Sequence, residues 1–131
     1  MKLFLDDFRV PRDCLSYMHA RIGPMNPIYN EEGWFVVRSY PAFISAVNMF
    51  KGQITHVSFD HDLAEGHYHE GVINYDSEDF NLDDYNKTGY HAAKYLKEVY
   101  EKENLSLPKM FVHSMNPVGT ENIINLFKSF R

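Results

Sequence analysis

Ile54-Thr55-His56-Val57-Ser58-Phe59-Asp60-His61-Asp62 is a short apolar run that stops at carboxylates, and Lys2-Leu3-Phe4-Leu5-Asp6-Asp7 ends the same way. A strand that stops at an acid places that acid at the mouth of a sheet. Two such strands side by side bring their acids to one point, which makes that point a candidate site for a hard cation.

Working outward from these two strands, strands and helices alternate, the pattern of a parallel sheet with helices packed on its faces. The first strand is read as Lys2 to Leu5. The second is Trp34 to Arg38, announced by Gly33 and rich in Val and aromatic residues. Between them Pro11, Gly23, Pro24 and Pro27 leave room for one short helix, about Asp13 to His19. A clear helix follows: Pro41 suits a first turn, and Phe43, Ile44, Val47 and Phe50 share a face before Gly52 ends it.

The third strand is Ile54 to Phe59. Residues Ala64 to Lys87 are polar and without regular period, so a long loop is expected there. Thr88 can cap a helix reaching about Lys102, with Ala92, Ala93, Leu96 and Val99 on its buried side. The fourth strand is Lys109 to His113, and the last helix starts with Asn116 as cap and Pro117 in its first turn, continuing through Ile123, Ile124 and Phe127. The expected fold is therefore α/β: a shortened doubly wound, flavodoxin-like or receiver-like parallel sheet of about four strands, with helices on both faces and a long acidic loop after the third strand.

Composition bounds the function classes. With 131 residues and 44% hydrophobic content, the chain fits a single domain over residues 1–131. Its one cysteine, Cys14, excludes an intramolecular disulfide, so a reducing, cytoplasmic setting is expected. No apolar stretch is long enough for a membrane span, and Met1 to Leu5 reaches Asp6 too soon for a secretory leader. The net charge of −5 is unevenly placed: residues 65–84 hold seven acids and no Lys or Arg, while the remaining 111 residues net +2. That asymmetry argues against duplex DNA as a partner and leaves a small phosphorylated ligand or a nucleic-acid end.

Ligands of an open parallel sheet bind beyond the carboxyl ends of its strands. Asp6 and Asp7 lie there after the first strand, Asp60, His61 and Asp62 after the third, and His113, Ser114 and Asn116 after the fourth. Carboxylates suit Mg²⁺ or Mn²⁺, which take oxygen ligands and keep waters that a phosphate can replace. Zn²⁺ is less favoured because Cys14 is alone and the histidines lack ligand spacing, although His61, His113 and an acid offer one such set. Asp6, Asp7, Asp60 and Asp62 are thus the expected metal residues. His113 is a candidate acid toward a leaving oxygen, and Asp62 or His61 would orient a water, although strand alternation turns His61 away from its two acidic neighbours. Ser114 and Asn116 precede a helix N-terminus, which favours anions, and Arg9 and Arg38 are candidate phosphate clamps.

Five ordered segments carry a resemblance over nearly the whole chain: Leu3-Phe4-Leu5-Asp6-Asp7-Phe8-Arg9-Val10-Pro11, Val37-Arg38-Ser39-Tyr40, Ser58-Phe59-Asp60-His61-Asp62-Leu63, Thr88-Gly89-Tyr90-His91-Ala92-Ala93 and His113-Ser114-Met115-Asn116-Pro117-Val118-Gly119. Together they resemble the cyclic-phosphate processing receiver domains, which are similar in fold to response-regulator receivers. The resemblance implies that Asp6, Asp7 and Asp60 take metal positions and that Ser114 takes the hydroxyl position after the fourth strand. It also implies hydrolysis or transfer at a cyclic phosphate. Two alternatives remain: a non-catalytic module that binds a phosphorylated ligand or protein partner, and a switch phosphorylated on Asp60.

The chain departs from ordinary receivers in three ways. One helix follows the fourth strand, which leaves no room for a fifth strand and its lysine, so His113 or Arg9 would supply the positive contact. A Pro-containing loop largely replaces the first helix. The fourth strand becomes a sheet edge, a place open to self-association.

Overall fold

The computed structural model describes residues 1–23, 25–63 and 87–130. Four strands, β1 (Lys2–Leu5), β2 (Trp34–Val37), β3 (His56–Phe59) and β4 (Lys109–Val112), form one sheet in the order β2-β1-β3-β4. Every pairing is parallel. The fold is the expected receiver-like α/β fold. Among the described residues β2 and β4 are its edges.

Alternation along the strands sorts side chains onto two faces. Leu3, Leu5, Val57 and Phe59 point to one face. There they meet Phe43 and Val47 of α3 (Tyr40–Phe50), Ala92, Ala93 and Leu96 of α4 (Gly89–Lys102), and Ile123 of α5 (Pro117–Phe127). Phe4, one residue out of phase, points to the opposite face and packs with Cys14, Met18 and Tyr29. Full burial of a side chain such as Phe4 contributes about 1.5–3 kcal/mol, so even the thinner face is held firmly.

That thinner face corrects one expectation. The segment read as one short helix at Asp13 to His19 is helical from Pro11 to Ile22, as α1 (Pro11–Asp13), a π-helical turn (Cys14–Met18) and α2 (His19–Ile22), and a 3₁₀ turn follows at Pro27–Asn30. The first helix is therefore not replaced by a loop. Pro11 opens the helix where its missing N–H costs nothing, and the Asp13 carboxylate accepts the Val10 N–H at 3.0 Å. Pro11, which argued against a helix in the sequence, marks its start.

Ser39 caps α3, Thr88 caps α4 and Asn116 caps α5, each side-chain oxygen accepting a backbone N–H of its own helix. The last two are the caps read from the sequence. The acidic stretch expected as a long loop falls on residues 64–86, outside the described residues. Among the described residues, no helix is long and apolar enough to cross a membrane.

Register decides what stands at the carboxyl edge. Leu5 pairs with both Val37 and Phe59, and Phe59 pairs with Val112. The ladder runs one residue further: Asp6 N–H reaches Val37 O (3.1 Å), Asp60 N–H reaches Leu5 O (2.9 Å) and His113 N–H reaches Phe59 O (2.9 Å). Arg38, Asp6, Asp60 and His113 therefore form one row across the sheet, just past the last full strand pair.

Candidate metal centre

β1 and β3 are neighbours, so the acids that follow them are neighbours too. Carboxylate oxygens of Asp6, Asp7 and Asp60 all lie within 4.8 Å of one another. Asp6 is fully buried and Asp60 nearly so, whereas Asp7 is exposed. The two acid-ended runs of the sequence thus converge.

Asp6 is held on both oxygens. Its Oδ1 accepts the backbone N–H of Phe8 (2.8 Å) and Arg9 (2.7 Å), which folds residues 6–9 into a tight turn around the carboxylate. Its Oδ2 lies 3.1 Å from His113 Nε2. Burial pushes the Asp6 carboxyl up, but the His113 hydrogen bond and charge and the two backbone N–H groups outweigh it and hold the carboxyl below its ordinary value. Burial holds His113 down as well, against the pull of Asp6. Both directions favour a carboxylate facing a neutral imidazole.

Asp60 has the opposite balance. Its Oδ1 accepts the His61 N–H at 2.8 Å, yet burial, followed by the charges of Asp6, Asp62 and Asp7, pushes its carboxyl up to about 8. A site that buries and crowds carboxylates until one of them holds its proton is a site short of positive charge.

His113 stands at the strand end as expected, but its ring is buried. It is 1% exposed, its ring stacks on Phe4 at 4.2 Å between centroids, and Nδ1 lies 2.6 Å from Ser58 Oγ. With Asp6 on the other nitrogen, both ring nitrogens are committed, so the expected role as acid toward a leaving oxygen does not fit. His61 is likewise sealed, and its Nδ1 pairs with Asp62 Oδ1 at 3.0 Å. A Cβ on Gly119 would press into the His61 ring, so the imidazole packs under the first turn of α5, and its bond to Asp62 departs from the expectation that alternation turns it away from both neighbouring acids. Its expected place beside a reacting water is corrected accordingly. Asp62, expected as a metal residue, lies outside the convergent trio and turns one oxygen to His61.

Arg38, expected to clamp a phosphate, donates from Nη1 to the carbonyls of Arg9 (2.6 Å) and Asp6 (3.2 Å). It braces the turn that carries Asp6 and Asp7. Arg9 reaches across the edge, with Nη2 3.5 Å from Met115 Sδ. Ser114 is nearly buried, and its Oγ accepts the Asn116 N–H at 3.0 Å; Asn116 Oδ1 accepts the Gly119 N–H at 3.0 Å. Ser114 also lines a cleft of about 440 Å³ along α5, together with Met115, Thr120, Ile124 and Lys128. A volume of that order suits a small ligand.

Sequence reading missed Tyr29 and Ser58. Tyr29 Oη lies 2.6 Å from Ser58 Oγ, so a buried polar chain runs from Tyr29 through Ser58 and His113 to Asp6. A signal was present: Ser58 is a hydroxyl inside an apolar strand, two residues before Asp60 and therefore on its side of the sheet.

A family model described as cyclic-phosphate processing receiver domain matches residues 1–129. No curated protein and no solved structure matches the chain.

Proposed function

The chain belongs to the cyclic-phosphate processing receiver domains, and from that premise we propose that it is a divalent-metal-dependent phosphoesterase opening a cyclic or otherwise phosphorylated nucleotide-like substrate. One observation carries this reading: three carboxylates from two adjacent strands, Asp6, Asp7 and Asp60, meet within 4.8 Å. The donor set fits Mg²⁺ or Mn²⁺, since all its atoms are carboxylate oxygens and a doubly charged ion offsets the burial and the repulsion that raise Asp60. Such an ion, when bound, supplies positive charge that polarises a phosphoryl oxygen.

The chain's own groups do the rest. Asp6, Asp7 and Asp60 hold the ion against the sheet edge. Ser114 donates its hydroxyl to a phosphate oxygen, its acceptor side being taken by the Asn116 N–H. The Arg9 guanidinium offers forked donors to the same phosphate. Asp62 orients the attacking water. Opening the ring forms one P–O bond to the water oxygen and breaks one to the sugar oxygen, which leaves with the water's proton. The cleft beside Ser114 receives the sugar and base.

A second reading, a receiver-like module that captures a phosphorylated ligand without turnover, is favoured by one specific observation. His113, the acid named from the sequence, has both nitrogens engaged below the edge. A screen of cyclic and linear phosphoesters with Mg²⁺, Mn²⁺ and Zn²⁺, using Asp60→Asn as blank, separates the two. Turnover lost in the blank supports hydrolysis, and saturable capture without turnover supports the binding module. Equal turnover in both proteins overturns the phosphoesterase.

A further inference from the structure

We infer that Tyr29, Ser58 and His113 form a buried positioning chain that presents one chosen oxygen of Asp6, Oδ2, to the cation. The inference rests on the metal reading above and adds which atom of Asp6 binds and what holds it.

Hydrogen-bond inventory fixes the direction of the chain from its acidic end. An ionised carboxylate only accepts, so His113 Nε2 must carry the proton it shares with Asp6 Oδ2. A neutral ring then has Nδ1 as an acceptor, which makes the Ser58 hydroxyl the donor at 2.6 Å. With its one hydrogen spent, Ser58 Oγ accepts the Tyr29 hydroxyl at 2.6 Å. Tyr29, Ser58, His113 and Asp6 are each at most 3% exposed, so these bonds are shielded from bulk solvent. Phe4 fixes the plane of the His113 ring by stacking on it, 7° from parallel, and meets the Tyr29 ring edge-on.

The same inventory selects the oxygen. Asp6 Oδ1 already accepts two N–H groups, from Phe8 and Arg9, which use both of its lone pairs. Oδ2 accepts one, from His113, and keeps a lone pair for the ion. Hydrogen-bonded partners of a ligating group set its orientation and its basicity, and losing one costs about 10–100-fold in metal affinity. Tyr29 therefore acts on the cation at a distance, through two intervening side chains. It is a positioning residue and not a catalytic one.

The test measures Mn²⁺ binding to the full chain by the loss of the free-ion electron paramagnetic resonance signal, beside thermal melting. His113→Leu is expected to weaken Mn²⁺ about 10–100-fold. His113→Gln, which retains an N–H donor, restores much of that loss. Ser58→Ala and Tyr29→Phe delete single hydroxyls, keep a cooperative melt, and weaken Mn²⁺ in that order. Met18→Leu, in the same apolar cluster but outside the chain, leaves affinity unchanged. Nitrogen-15 shifts of His113 are expected to show the neutral ring protonated on Nε2. Mn²⁺ affinity within twofold of the unaltered protein in all four chain variants, or a ring protonated on Nδ1, overturns the inference and leaves the metal reading standing. Failure of the unaltered protein to bind Mn²⁺ overturns both.

Discussion

Gly89 sits against the backbone of Asp60 so closely that a Cβ at Gly89 would overlap the Asp60 carbonyl oxygen. The Gly89 N–H also donates to the His61 carbonyl at 2.7 Å. The start of α4 is thereby locked to the segment that carries the acid, and the missing side chain is what permits the contact. Gly89→Ala is expected to force the strand end and the helix apart, costing about 1–3 kcal/mol in urea unfolding and weakening cation binding as Asp60 shifts. An alanine variant with the stability and Mn²⁺ affinity of the unaltered protein would contradict this coupling.

Asp60 makes stability depend on pH in a defined direction. Its carboxyl stands at about 8 in the fold against an ordinary value of 3.8. Between those values the unfolded chain has released the proton that the folded chain retains, so stability falls as pH rises from about 4 to about 8. Asp6 is held low and acts the other way, its contribution being lost as pH falls through the acid range. Without divalent ions, the unaltered protein is expected to lose stability between pH 5 and 8 relative to Asp60→Asn, which becomes the more stable at pH 8. Parallel pH profiles for the two would refute the raised carboxyl.

Asp6 and Asp7 are expected to separate structure from binding. Asp7 is exposed, so Asp7→Asn should leave the melting temperature nearly unchanged while weakening Mn²⁺. In Asp6→Asn one carboxylate oxygen becomes an NH₂ group, and the chain loses the charge that His113 faces. A loss of about 1–3 kcal/mol follows, together with loss of Mn²⁺ binding. Equal melting temperatures for the two variants would show that Asp6 has no structural role.

Arg38 ties the turn that carries both acids to β2 by its two hydrogen bonds to backbone carbonyls. Arg38→Ala is expected to cost about 1–2 kcal/mol and to raise amide exchange over residues 6–9. Arg38→Lys recovers only part of this, because an ammonium lacks the planar fork of a guanidinium. Unchanged exchange over residues 6–9 in the alanine variant would remove the bracing role.

Much of the fold could be read without coordinates because its signals are local. Leu3-Phe4-Leu5 and Val57-Ser58-Phe59 end in acids within a few residues, and Thr88 and Asn116 announce the helices they cap. The helical stretch from Pro11 was harder. Pro11 and the prolines beyond the stretch read as breakers, and the π-helical turn at Cys14–Met18 departs from the ordinary period.

The candidate site divides along the same line. Each of Asp6, Asp7 and Asp60 could be placed at the end of its strand from the sequence, and the sheet order β2-β1-β3-β4, which makes β1 and β3 neighbours, brought them together. What His113, Ser58, Tyr29 and Arg38 do could not follow, since their partners lie 29 to 107 residues away. Sequence determined which residues stand at the mouth of the sheet through the two-residue alternation of a strand and the position where each strand stops. Tertiary structure alone decided which of them face one another, because strand register and the packing of Phe4 on His113 arise only when distant segments close on a common core.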